Sequence, residues 1–116
     1  MGVTAAYSGN ATISTTEYSL PNAANYSSGS PITADVVGQI WLDLGALAAG
    51  DDYTLNIYEK VDGGTQRLVD SFSFKDAQAK AIVVLPAFLL MDGWDVSMIK
   101  NAGTDRSIRW SIRAPA

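Results

Sequence analysis

The sequence predicts an all-β chain: an antiparallel β-sandwich, jelly-roll or immunoglobulin-like, of about seven to eight strands with an extended N-terminal arm. Three observations carry that expectation. Between Asp52 and Val61 the side chains alternate, with Tyr53, Leu55, Ile57 and Val61 on one parity and Thr54, Asn56, Tyr58 and Lys60 on the other. A strand sends successive side chains to opposite faces, so this is a strand with one dry and one wet face. Turn-forming clusters of Gly, Pro, Asn and Asp recur every roughly 8–12 residues, the spacing of short strands. No heptad or internal repeat interrupts the pattern. With 116 residues the chain is expected to form one domain, burying roughly 65% of its unfolded surface.

In chain order, residues 1–34 read as a low-charge arm plus a first strand, and residues 35–116 as the sandwich body. The arm, Gly2 to Ser14, carries no charge, and a strand is expected from Ala11 to Leu20, ended by Pro21-Asn22. Asn22 to Pro31 reads as loop. A strand from Asp35 to Leu44 puts Ile40, Leu42 and Leu44 inward and leaves Gln39, Trp41 and Asp43 outward. Gly45 to Gly50 is too short for a stable helix and is expected to cross between sheets.

The strand at Asp52–Val61 turns at Asp62-Gly63-Gly64-Thr65, where glycine supplies the backbone freedom of a tight hairpin. Gln66 to Phe74 then returns antiparallel beside it. Ala81 to Leu85 is continuously apolar and expected to be buried on both faces, with Pro86 ending the strand or placing it at an edge. A second hairpin is expected at the end, with Trp94, Val96 and Met98 on one arm, a turn at Asn101–Asp105, and Ile108, Trp110 and Ile112 on the other. Ser107, Arg109, Ser111 and Arg113 point outward. The expected core comprises Leu55, Ile57, Phe72, Val84, Val96, Ile108, Trp110 and Ile112.

Composition excludes much chemistry. There is no cysteine and no histidine. Disulfide scaffolds, thiolate metal sites and every mechanism that needs an imidazole base are closed to the chain alone. The carboxylate pairs Asp51/Asp52 and Asp92/Asp95 sit beside glycine, where Asp commonly bonds its own turn, and the ordered spacing of a calcium loop is absent. No catalytic residue, cofactor or metal is expected. Net charge is −4, which argues against a grip on nucleic acid. The longest apolar run, Ala81 to Met91, is too short for a membrane-spanning helix. The N-terminus shows no secretory pattern. The sequons Asn10-Ala-Thr and Asn25-Tyr-Ser lie in a tract so rich in Asn, Ser and Thr that composition explains them.

Charge is unevenly laid out. Glu17, Asp35, Asp43, Asp51, Asp52 and Glu59 precede Lys60, and all eight basic residues stand from Lys60 onward. Either the basic C-terminal strand neutralises carboxylates within the fold, or acidic and basic faces of neighbouring copies meet.

Several stretches carry a family resemblance: Thr15-Thr16-Glu17-Tyr18-Ser19-Leu20-Pro21, Leu47-Ala48-Ala49-Gly50-Asp51, and Tyr58-Glu59-Lys60-Val61 with Thr65-Gln66-Arg67-Leu68-Val69. Gly93-Trp94-Asp95 and Ala102-Gly103-Thr104-Asp105-Arg106-Ser107-Ile108 belong to the same pattern. Together they resemble small β-rich structural proteins of tailed bacteriophage virions. The resemblance implies a non-enzymatic part of the virion, assembled in the host cytoplasm. A capsid decoration (cement) protein that binds the major capsid protein lattice is the first reading; a neck, tail or fibre protein is the alternative. A carbohydrate-binding β-sandwich is the alternative from another class.

Under the virion reading the partners are the major capsid protein or other virion proteins, with homo-oligomerisation expected and a trimer possible. The candidate interface residues are Val3, Tyr7 and Ile13 of the arm, the outward Trp41 and Tyr58, and the outward Arg109 and Arg113.

Overall fold

The computed structural model describes residues 2–27, 32–60, 64–91 and 93–115. Val61, the Asp62-Gly63 part of the expected hairpin turn, the end of the Asn22–Pro31 loop and Asp92 fall outside those residues. Among the described residues the chain forms nine strands and no helix: β1 (Val3–Ile13), β2 (Tyr18–Ser19), β3 (Ala24–Asn25), β4 (Val36–Asp43), β5 (Asp52–Glu59), β6 (Arg67–Lys75), β7 (Ile82–Leu90), β8 (Asp95–Ala102) and β9 (Arg106–Pro115). They build two packed antiparallel sheets, one of four strands in the order β1-β9-β4-β7 and one of five in the order β3-β2-β8-β5-β6. The chain changes sheet at every connection except β2–β3 and β5–β6. The segment Gly45–Gly50 makes the expected crossing, from β4 to β5.

The β5–β6 hairpin forms as the alternation predicts, with Tyr53, Leu55 and Ile57 fully buried and Leu55 opposite Phe72. The expected final hairpin does not form. β8 pairs with β2 and β5, whereas β9 pairs with β1 and β4 in the other sheet. Gly103, at φ +93°, turns the chain across the sandwich rather than back along it. Alternation tells which face is apolar; it does not tell whether two such faces share a sheet or oppose each other.

The N-terminal arm is a strand of the fold. β1 pairs with β9 from Val3↔Pro115 to Ile13↔Arg106, with one irregularity between Ala5 and Tyr7. The first strand is therefore Val3–Ile13 and not Ala11–Leu20; Lys100 N–H bonds Ser14 O as the chain passes from one sheet to the other. Within residues 1–34, β1 and β2 supply a strand to each sheet.

β7 is an edge strand, as Pro86 suggests, and it slips register against β4 between Gly38 and Ile40. It is not buried on both faces: Leu85 is in the core, but Ile82 and Val84 are exposed. Val84 therefore leaves the expected core, and Phe72 is only partly buried because β6 is the edge of the five-stranded sheet. The remaining expected core residues, Leu55, Ile57, Val96, Ile108, Trp110 and Ile112, are buried. They are joined by Ile40, Leu42, Leu44, Met98 and Trp94, whose indole N–H donates to Ala34 O at 2.8 Å.

Candidate functional site

The outer face of the four-stranded sheet assembles most of the candidate interface residues. On β4 the outward positions are Val37, Gln39, Trp41 and Asp43; on β9 they are Ser107, Arg109, Ser111 and Arg113. The register sets Trp41 between Ser111 and Val84, Gln39 beside Arg113, and Asp43 between Arg109 and Ile82. Val37 stands opposite Leu89. The Arg113 guanidinium lies over the Trp41 ring, its central carbon 3.9 Å from the ring centroid, a cation–π contact. Both partners are held by neighbours two residues away on their own strands. Arg113 Nε donates to Ser111 Oγ at 3.3 Å, and Trp41 Nε1 donates to Gln39 Oε1 at 3.4 Å.

Polar neighbours flank this pair along β4 and β9, and exposed apolar side chains stand toward β7 and the start of β1. Val3 and Leu89 are each 74% exposed, and Val37, Ile82 and Val84 are exposed too. An open groove of about 540 Å³ runs between Val3 and Pro115 on one side and Val37, Trp41 and Arg113 on the other. Its floor is close-packed backbone: a Cβ on Gly38 would stand 2.3 Å from Arg113 O, so β4 reaches β9 there only because residue 38 has no side chain. Among the described residues neither Arg109 nor Arg113 has an ion-pair partner within 4.0 Å. The face thus joins exposed aliphatic surface, one aromatic ring and two guanidinium groups without a close ion pair among the described residues. Trp and Arg dominate protein–protein hot spots, and contiguous apolar surface of this kind marks contact sites.

The structure brings Val3, Trp41, Arg109 and Arg113 to this one face and places the other three candidates elsewhere. Ile13 is completely buried at the end of β1 and has no surface to offer a partner. Tyr7 is partly buried and packs edge-on against Trp94, with ring centroids 5.5 Å apart. Tyr58 belongs to a polar network on the other sheet. Its hydroxyl donates to Glu17 Oε2 at 2.6 Å, Ser97 Oγ donates to the same oxygen, and its ring stacks on Tyr26 at 4.7 Å. Burial, reinforced by Glu17, pushes the Tyr58 phenol well above its ordinary range, so it stays neutral.

The carboxylates are engaged in structure. Asp51 Oδ1 accepts the Thr104 N–H at 3.0 Å, and Oδ2 accepts Ala48 N–H at 2.9 Å and Arg106 Nε at 2.8 Å. Those donors hold its carboxyl down to about 2. This is the turn role expected of Asp51.

Asp95 differs from the expected turn residue. It opens β8, is completely buried, and accepts Ser19 Oγ at 2.6 Å and Val96 N–H at 2.8 Å on Oδ1. Its Oδ2 has no partner among the described residues, and burial raises its carboxyl to about 6. Ser19 is likewise closed off from solvent, so this Ser–Asp pair has no access to a substrate. Among the described residues no three or more acidic side chains converge as a metal site would require.

Sequence reasoning missed the aliphatic half of the surface, namely Val37, Ile82, Val84 and Leu89. Pro86 held the signal: an apolar run that contains a proline belongs at a sheet edge, where one of its faces has less to pack against. No protein-family model, curated protein or solved structure matches the chain.

Proposed function

We propose that the chain is a non-enzymatic virion structural protein, a capsid decoration protein that docks on the major capsid protein lattice through the outer face of its four-stranded sheet. The observation that carries this reading is the Trp41–Arg113 pair set beside exposed aliphatic surface. An exposed apolar face is costly to keep on a free protein, and a partner that covers it removes the cost. Trp41, stiffened by Arg113, is an anchor that loses little side-chain freedom on docking. On a shell the contact repeats many times, so each copy need bury only a modest patch.

The strand order supports the same class. With the two-residue β3 set aside, sheets ordered β1-β9-β4-β7 and β2-β8-β5-β6 have the connectivity of a jelly roll, an architecture shared by viral capsid and lectin domains. That likeness is one of architecture and carries no activity by itself. The lectin side of it is the weaker reading. A sugar platform needs a free aromatic face, whereas Arg113 covers one face of Trp41 and the Tyr26 and Tyr58 rings stack on each other.

The test is co-sedimentation of the purified chain with shells assembled from the major capsid protein encoded in the same genome. Saturable binding to the shell supports decoration. No binding to shells, together with a specific hit on a glycan array, would replace this reading with the carbohydrate-binding one. Capsid and portal genes beside the coding sequence are the cheapest supporting observation.

A further inference from the structure

We infer that two copies of the chain associate through β1, strand against strand, running antiparallel about a twofold axis. Among the described residues four strands lie at sheet edges, and three of them are poor templates for pairing. β7 contains Pro86, which has no N–H to offer, and slips register there. β6 carries the exposed charges Arg67, Asp70 and Lys75. β3 is two residues long. Charge, proline, irregularity and shortness are the means by which sheet edges resist pairing with other chains.

β1 has almost none of them. It is eleven residues long, with no charge and no proline. From Tyr7 to Ile13 it holds regular register with β9, and its single irregularity lies before that, between Ala5 and Tyr7. Its other flank pairs with nothing among the described residues. The side chains along the regular stretch include Ser8, Gly9, Asn10, Ala11 and Thr12, small enough for another backbone to approach closely.

A second copy of this chain is the occupant the edge favours. The other edges of a second copy are obstructed, so a contact between copies at this site is isologous, β1 on β1, and it desolvates no charge on either side. Antiparallel strands are related by a twofold axis perpendicular to their sheet. The pairing therefore makes one continuous eight-stranded sheet from two four-stranded ones. It also leaves both outer faces, each with its Trp41–Arg113 pair, on the same side. That the dimer is a bivalent docking face rests on the function proposed above; the dimer itself does not.

Sedimentation equilibrium from micromolar to millimolar protein tests the inference. The wild-type chain is expected to pass from monomer to dimer. Ser8→Lys combined with Asn10→Lys sets ammonium groups against each other across the axis and is expected to weaken the dimer at least about tenfold. Ser71→Lys with Ser73→Lys on β6 is expected to leave it unchanged, and circular dichroism checks that both variants are folded. Because the chain has no cysteine, single cysteines at Ser8, Asn10 and Thr12 report the contact directly: at least one is expected to cross-link symmetrically on oxidation. A wild-type chain that stays monomeric overturns the inference. So does a dimer that survives the β1 lysines, or one in which no β1 cysteine cross-links. A monomer that still binds shells would overturn this inference alone and leave the docking face intact.

Discussion

Arg106 Nε donates to Asp51 Oδ2 at 2.8 Å, a bond that fastens the start of β9 to the turn leading into β5. The same carboxylate takes the N–H groups of Thr104 and Ala48, and Asp51 O accepts the Asp76 N–H from the β6–β7 connection. Three connections at one end of the sandwich thus converge on one aspartate. Thr104 and Ala48, then Arg106, hold its carboxyl at about 2, below the ordinary 3.8. A depressed folded-state pKa contributes stability that is complete above the unfolded value and lost as pH falls through the folded one. Thermal melts should therefore drop between about pH 4 and 2, and Asp51→Asn should melt lower at neutral pH with a flatter acid limb. An acid limb of equal slope in the variant would contradict this role.

Asp95 acts in the opposite sense. Burial raises its carboxyl from 3.8 to about 6, against the bonds from Ser19 and Val96 and with Glu17 nearby. Between those values the folded chain holds a proton that the unfolded chain has released, so stability decreases as pH rises through that window. The melting temperature should rise on acidification from pH 7 to about 4 before the Asp51 limb begins, and Asp95→Asn should remove that rise. A profile that is flat from pH 7 to about 4 in the wild-type chain would contradict the buried acid.

Adjacent residues of β7 should respond very differently to substitution. Val84 is 42% exposed and points away from the core, whereas Leu85 is 6% exposed and points into it. Val84→Ser should change stability by no more than about 0.5 kcal/mol, the range for surface positions. Leu85→Ala should cost about 2–5 kcal/mol. Denaturant unfolding of the two variants measures both, and a reversed order would mean the strand is out by one residue.

Gly9 and Trp110 face each other across β1 and β9, and a Cβ on Gly9 would lie 2.9 Å from the Trp110 ring. The indole is itself packed, edge-on to Tyr18 with ring centroids 5.7 Å apart, so it cannot step aside freely. Gly9→Ala should cost about 1–3 kcal/mol by overpacking. Trp110→Ala should cost about 3–5 kcal/mol. If Gly9→Ala is neutral in denaturant unfolding, β1 does not lie on Trp110 in the way described.

That contact also explains where the sequence was legible and where it was not. β5 declares itself because every inward residue is large: Tyr53, Leu55 and Ile57. β1 hides because two of its inward residues, Gly9 and Ala11, are small, Gly9 because the Trp110 ring occupies the space a side chain would need, and hydrophobic parity fades with them. β7 misled for the reverse reason, since its outer residues are as apolar as its inner ones. The pairing of β9 with β1 and β4 was invisible because parity carries no information about neighbours. At the candidate site, Trp41, Arg109 and Arg113 were readable as large side chains on a wet parity. Tyr58 had the same signature, yet its partner Glu17 lies 41 residues away and occupies its hydroxyl. A tertiary hydrogen bond of that kind leaves no local trace.

The proposed docking face is tested most directly by measuring how tightly the Trp41→Ala/Arg113→Ala variant binds shells of the cognate major capsid protein. Circular dichroism and the thermal melt should match the wild-type chain, since the residues are partly or fully exposed on the outer face. Affinity should fall roughly 30-fold or more, the ratio that corresponds to losing a hot spot of about 2 kcal/mol. Shell binding of unchanged affinity by that folded variant would contradict the assignment of this face.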